Sequence, residues 1–315
     1  METTAHQPVL LREALEALAV RPGGFWVDGT VGAGGHAEAI LRATAPEGRL
    51  LACDRDAEAL ETARRRLAPF GERVVFRHAD YRRLGALLDE VGGPPVAGIL
   101  LDLGISSLQL DDPGRGFSFQ KDGPLDMRMD RTERTTAADL VGALAEERLA
   151  AILREHGEEK AARRIARALV RERARAPIAT TRRLAEIVAS VLPVRGPSRI
   201  HPATRTFQAL RIAVNREIEG LDRLIEEAVT RLEPGGRIAV ISFHSLEDRV
   251  VKQTLRGLTR RCVCPRGLPV CACGRPGVVR LVGSKALRPS AEEALHNPRS
   301  RSARLRTAER LAAAA

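Results

Sequence analysis

Aromatic side chains are nearly absent from this chain: one Trp, one Tyr and seven Phe make up 3% of its 315 residues. That scarcity argues against a platform of stacked rings for single-stranded nucleic acid. Long hydrophobic runs are missing too. The longest, Val96 to Leu101, is far short of the ~20 apolar residues a membrane-spanning helix needs. The first dozen residues hold no basic stretch followed by an apolar segment, so no secretory leader is expected and the chain is placed in the cytoplasm, away from membranes. Lysine is rare, with 4 against 47 arginines, yet basic residues outnumber acidic ones 51 to 40 and the formal charge is +11. A balance of that kind favours a polyanionic partner, nucleic acid above all, although an arginine-rich composition could produce part of it. The length is enough to bury a sizeable core in one large domain or two modest ones.

The most informative stretch runs from Phe25 to Ala37. A short apolar strand enters a glycine-rich turn, and a helical pattern follows from His36. Gly32, Gly34 and Ala37 fit the G-x-G-x-x-A form that receives nucleotide cofactors in a βαβ unit. Asp54 ends the next expected strand, where a carboxylate can accept hydrogen bonds from an adenosine ribose. An adenosine-containing cofactor follows from that order of parts. Asp28 lies inside the glycine loop, where it would repel a pyrophosphate but suit a cationic ligand. S-adenosylmethionine, with its sulfonium and ammonium groups, is thereby preferred to NAD.

Strand and helix patterns alternate through the first hundred residues. Strands are predicted at Phe25–Val27, Arg49–Cys53, Val74–Arg77 and Gly98–Leu101, with an amphipathic helix at Ala57–Leu67. The rhythm predicts a doubly wound parallel α/β sheet whose ligand lies beyond the C-terminal strand ends. Asp28, Asp54, Asp80, Tyr81 and Asp102 all fall at those ends and suggest one site. After Asp102 the rhythm stops. A loop rich in Gly, Pro and Asp (Asp111 to Asp130) leads into helical sequence, with Thr136 and Asp139 spaced as a capping box. Strand pattern resumes only at Arg237–Phe243, and the spacing from Phe207 to Ile225 predicts one long amphipathic helix before it. These features predict an all-helical insertion over residues 113–210, inside a discontinuous domain of residues 1–112 and 211–315.

The insertion carries nine basic residues between Lys160 and Arg183 against one acid, Glu172, and phosphate-backbone binding is the expected use. The tail is basic as well (Arg299, Arg301, Arg304, Arg306, Arg310); a second polyanion contact and a disordered solvating tail are equally compatible with it. Cys53 reads as a small core residue. Cys262, Cys264, Cys271 and Cys273 could hold structural zinc, although the single-residue spacing within each pair is unlike the usual knuckle. A metal-free loop is the alternative, and no metal ligand is assigned.

Several long segments add to this pattern. They are His6 to Leu10, Asp28 to His36, Asp54 to Asp56, Leu101 to Ser107, Gly116 to Phe119, Pro124 to Met129, His201 to Phe207, Ile241 to Arg249 and Asn297 to Arg301. Together they closely resemble the RsmH (MraW) family, S-adenosylmethionine-dependent enzymes that methylate N4 of a cytosine in bacterial 16S ribosomal RNA. The resemblance spans nearly the whole chain and implies a Rossmann-like class I methyltransferase sheet. By the same resemblance the target is cytosine 1402 and the partner is the small ribosomal subunit. It implies that Gly34, Gly35 and His36 form the turn against the methionine part of the cofactor, and that Asp54 holds the ribose. Tyr81 would flank the adenine, with Asp102 and Gln109 completing the pocket. Tyr81 stands where many relatives carry Phe, and Leu108 where many carry Pro; the cysteine cluster is not general to the family.

The amine of cytosine is a poor nucleophile because its lone pair is delocalised into the ring, so catalysis is chiefly alignment of amine, methyl and sulfur. Asp102, the one candidate catalytic group, is expected either to accept the amino hydrogens or to act only on the cofactor. His244 and Glu247 follow the fifth strand and are candidates for a proton acceptor or for structure. Two competing readings are an NAD-dependent dehydrogenase and a non-catalytic RNA-binding protein on a methyltransferase fold.

Overall fold

The structure, a computed structural model, describes residues 8–192, 201–260 and 277–312. These form two compact units. One is built from the described residues up to Gly104 and from Ile218 onward; the other is Ile105–Glu217.

The first unit is a seven-stranded sheet. Its strands are β1 (Phe25–Asp28), β2 (Arg49–Asp54), β3 (Val74–His78), β4 (Val96–Asp102), β5 (Leu232–Ser242), β6 (Val279–Leu287) and β7 (Arg304–Arg310). They lie in the order β3-β2-β1-β4-β5-β7-β6. β1 to β5 run parallel, and β7 is antiparallel to both β5 and β6. This is the Rossmann-like α/β sheet expected from the strand–helix rhythm. The strand order reverses between β1 and β4, which places a ligand crevice outside the C-terminal ends of those strands.

Both faces of the sheet are covered, which is why its parallel strands read as continuous apolar runs rather than alternating ones. Phe25, Val27, Leu51, Cys53, Ile99, Leu101, Ile238 and Val240 point into one apolar layer, with the helices Leu84–Val91, Leu221–Arg231 and Ser245–Thr259. Trp26, Leu50, Ala52, Leu100, Ala239 and Ile241 point into the other, under the helices Leu11–Leu18, Gly35–Ala43 and Ala57–Leu67. Cys53 is fully buried, and burial pushes its thiol up to about 12, as a core residue requires. Asp28, Asp54 and Asp102 have the parity of the second layer, so alternation alone brings three acids to one face at adjacent strand ends.

One close approach fixes the packing at the sheet centre. Trp26 and Gly98 are register partners, and a Cβ on Gly98 would lie 2.6 Å from Trp26 Cζ3 and 2.8 Å from Cε3. The indole cannot swing away, because it is fully buried and its Nε1–H donates to the Gly23 carbonyl at 2.9 Å. Gly98→Ala should therefore cost about 1–3 kcal/mol by overpacking. Thermal unfolding of the variant at wild-type Tm would show that the ring has room to move.

Two sequence expectations change here. The arginine-rich tail is not a disordered solvating tail over Arg304–Arg310: it is β7, with Leu305 and Ala308 buried and Arg304 and Arg306 both paired to Asp248 at 2.7 Å. The long helix predicted from Phe207 to Ile225 is two helices, Thr204–Asn215 and Leu221–Arg231. The chain turns at Arg216 (φ 50°) and Gly220 (φ 73°), which hydrophobic periodicity passes over because the apolar phase is kept across the break.

The second unit has its own core, formed chiefly by the helices Ala137–Ala143, Glu146–Gly157, Ala162–Arg173, Thr181–Val191 and Thr204–Asn215. It is longer than the span 113–210 at both ends, taking in the short helix Ser107–Asp111 and the residues through Glu217. Asn215 explains the later end: its buried side chain accepts from Met129 N at 2.8 Å and donates to Met127 O at 2.7 Å, fixing the Gly- and Asp-rich loop. The capping box at Thr136 forms with Asp in the place of Glu, each partner bonding the other's backbone N–H. Arg173 is not free for phosphate, since it donates to the carbonyls of Val141 and Leu144 at 2.6 and 2.7 Å. Glu172 draws Arg171, Arg175 and Arg183 onto itself. The four cysteines from Cys262 to Cys273 lie outside the described residues.

Candidate functional site

The glycine loop leaves β1 at Asp28 and enters the helix Gly35–Ala43 at Gly34, which caps that helix with φ 84°. Only glycine takes this conformation without strain. A Cβ there would also lie 3.4 Å from the Ala63 backbone. Gly29 has a different reason: its Cβ would lie 2.6 Å from Leu101 Cδ2 and 3.6 Å from Tyr81 Cβ, so the loop passes close to both β4 and the turn that follows β3. Gly35 lies against Pro8, with no room for a side chain between them. The segment from Pro8 thus packs on the loop, a contact that sequence spacing gives no sign of.

Three carboxyls converge on this loop. Asp28 is 1% exposed; its Oδ1 accepts from Thr30 N at 3.1 Å, and burial, with a smaller contribution from Asp54, pushes the acid up to about 7. Asp54 accepts from Asp56 N and from Gly32 N, both at 2.8 Å, tying β2 to the next helix and to the loop. Burial still outweighs those bonds and raises it to about 6. Asp102 ends β4, where its backbone N–H donates to Thr30 Oγ1 at 2.6 Å. Burial first, then the charges of Asp28 and Glu247, holds its acid well above the usual carboxylate range.

Asp102 is the exceptional member. Its side chain is 24% exposed, yet Oδ1 is buried and has no hydrogen-bond partner among the described residues. Such an acceptor costs stability unless something fills the place in front of it. Oδ2 lies 3.7 Å from His36 Nδ1. His36 is buried, and its Nε2 lies 3.0 Å from the Val9 carbonyl. A carbonyl only accepts, so Nε2 carries the proton and Nδ1 is the nitrogen turned to Asp102.

The structure thus brings together Gly34, Gly35, His36, Asp54, Tyr81 and Asp102 in the first unit. Gln109 belongs to the second unit, where it is buried and completes a capping box with Ser106: Oε1 accepts from Ser106 N at 3.0 Å. Asp80, at the same strand-end level, has a local task. Burial would raise its acid, but the hydrogen bonds from Arg82 and the Arg55 charge outweigh burial and lower it. His244 and Glu247 are likewise engaged at the start of the helix Ser245–Thr259. His244 is the N-cap, and Glu247 accepts from Phe243 N at 2.9 Å. Thr30 joins the site with no motif to mark it; a hydroxyl between two glycine-loop positions is its only sequence sign.

An acid-lined crevice at the β1/β4 switch point fits a cationic, adenosine-bearing ligand better than a pyrophosphate. The family comparisons agree with a methyltransferase sheet. The sequence model of the MraW methylase family matches residues 3–311. The protein named ribosomal RNA small subunit methyltransferase H in Syntrophotalea carbinolica is 55% identical over 311 residues, covering 98% of this chain and 99% of that protein. Proteins of the same name from Thermomicrobium roseum and Symbiobacterium thermophilum are 53% and 51% identical over 310 and 309 residues, each covering 98% of this chain and 95% and 97% of their own length. A match of this extent, on a sheet whose acids stand at the switch point, makes the chain a member of the MraW methylase family.

Proposed function

We propose that the chain transfers a methyl group from S-adenosylmethionine to N4 of a cytosine in the 16S rRNA of the small ribosomal subunit, cytosine 1402 in the family's numbering. The relatives' names support the rRNA substrate. The observation that carries the cofactor is the buried Asp102 Oδ1, an unfilled acceptor beside Asp28 and the glycine loop. When bound, S-adenosylmethionine supplies an electrophilic methyl group on a cationic sulfur. The residues that fit it are Gly34, Gly35 and His36 around the methionine part, Asp54 for the ribose hydroxyls, Tyr81 along the adenine and Asp102 for the cationic end. Gln109 joins them by resemblance alone.

For the chemistry, the chain's task is placement. The target base is held out of its stack at a cost of a few kcal/mol. Its amine is then aligned behind the methyl carbon, with acceptors at the end of β4 drawing the amino hydrogens out of conjugation with the ring.

Purified protein incubated with radiolabelled S-adenosylmethionine and small subunits from a strain lacking this modification is expected to label N4-methylcytidine after digestion to nucleosides. Cofactor binding with no label in subunits or free rRNA would reject the transfer reading and leave a non-catalytic binder.

A further inference from the structure

A second surface of the first unit has a composition unlike the acid-lined crevice. The helix Ser245–Thr259 and the antiparallel strands β6 and β7 flank an open cleft of about 560 Å³. Six of its lining residues are cationic: Lys252, Arg256, Lys285, Arg288, Arg304 and Arg306. No acid lines it. Arg304 and Arg306 share one carboxylate, Asp248, which both contact at 2.7 Å, so the pair keeps one net positive charge. Lys252, Arg256, Lys285 and Arg288 have no acidic partner among the described residues, and all but the half-buried Lys252 are exposed.

That arrangement is unfavourable without a ligand. Lys252 and Arg256 are one helical turn apart, where like charges repel by about 0.2–0.5 kcal/mol. Lys285 and Arg288 extend the same sign along the sheet's edge strand and the residues after it. The carboxylate that contacts cations of this cleft, Asp248, is already committed to two arginines. No aromatic ring lines the cleft, which disfavours base stacking and leaves the sugar–phosphate backbone as the part of a nucleic acid it can hold.

We propose that this cleft binds backbone phosphates of the substrate rRNA, gripping the RNA at the antiparallel edge of the sheet. The proposal rests on the rRNA reading above. An acidic protein surface is the competing occupant, but the absence of apolar lining apart from Leu287 and Ala286 argues for a polyanion.

The test compares wild type with a Lys252→Ala/Arg256→Ala/Lys285→Ala/Arg288→Ala variant, measuring the affinity for protein-free 16S rRNA and for small subunits from 50 to 300 mM salt. Four lost phosphate contacts should weaken rRNA binding at least tenfold at ~0.15 M salt and lower the slope of log K against log salt by about 3. The S-adenosylmethionine Kd should stay at the wild-type value, which also reports that the variant is folded. A Lys252→Arg/Lys285→Arg variant should keep both affinity and slope. An unchanged slope on protein-free rRNA overturns the proposal, and so does a loss seen only on assembled subunits, which would assign the cleft to a ribosomal protein. Because binding is read directly, these results are independent of turnover: failure of the wild type to methylate rRNA would strike the transfer reading and not the cleft.

Discussion

An Asp102→Ala variant should lose methyl transfer by at least about a hundredfold, the cost of misplacing one reacting partner by an ångström or of removing one preorganised charge. The residue is anchored from behind by the Thr30 hydroxyl, its Oδ2 faces His36, and its Oδ1 is a buried acceptor with no partner among the described residues. Stability should change little or even rise, because the substitution also removes a buried acid that is crowded by Asp28 and Glu247. Loss of activity with a retained Tm therefore separates function from folding. Asp102→Asn divides the two roles open to the carboxyl. The amide keeps an acceptor oxygen but gives up the negative charge. If Asp102 only attracts the cationic end of the cofactor, Asn raises the S-adenosylmethionine Kd and leaves turnover at saturation near wild type. If it orients the target amine, turnover falls at full cofactor occupancy. Wild-type turnover in Asp102→Ala would remove the residue from the site altogether.

Much of this site is legible in the sequence, because it depends on local order: strand, glycine turn, helix, strand, acid. The helix at Ala57–Leu67 begins and ends where its apolar spacing puts it, with Asp56 as its cap. What escaped has a common cause, since it depends on partners distant along the chain. β7 reads as a basic tail because its arginines alternate with the few apolar residues that enter the core. Asp248, some fifty-six residues earlier, is what makes those charges tolerable there. β6 has the same mixed character, buried at Val279 and exposed at its end, as an edge strand should be. Pro8 fills the space beside Gly35, and nothing in local spacing announces that contact. Asp80 makes the opposite lesson. Its position at a strand end matched the site pattern, but Arg82 two residues on takes its carboxylate, so position without chemistry assigned one acid too many.

The raised acids make cofactor binding pH-dependent in a window well above that of an ordinary surface carboxylate, which titrates at about 4. In the ligand-free protein Asp28 titrates near 7 and Asp54 near 6, and Asp102 lies well above its usual range, so at pH 6 the site carries protons that a cationic ligand must displace. Binding should then release protons, and the S-adenosylmethionine Kd should fall as pH rises from about 5.5 to 8, by up to tenfold per unit for each proton released. The same shifts act on folding. A carboxyl whose folded pKa exceeds its unfolded value of about 3.8 binds more protons folded than unfolded, so it favours the folded state at low pH. That contribution is progressively lost as pH rises from about 4 to the folded value, near 7 for Asp28. Acids with lowered values, such as Asp80 and Asp248, act in the other direction but only below their unfolded pKa, so the two windows do not overlap. Asp28→Asn should accordingly flatten the fall in ligand-free stability between pH 4 and 7. It should also weaken cofactor binding at pH 8 more than at pH 6, since only at the higher pH does the wild type hold the charge that the amide lacks. Calorimetry in two buffers of different ionisation enthalpy reads the released protons directly. A wild-type Kd that is flat from pH 5.5 to 8, with no buffer dependence, would mean that these acids stay ionised without ligand and that burial does not govern their charge.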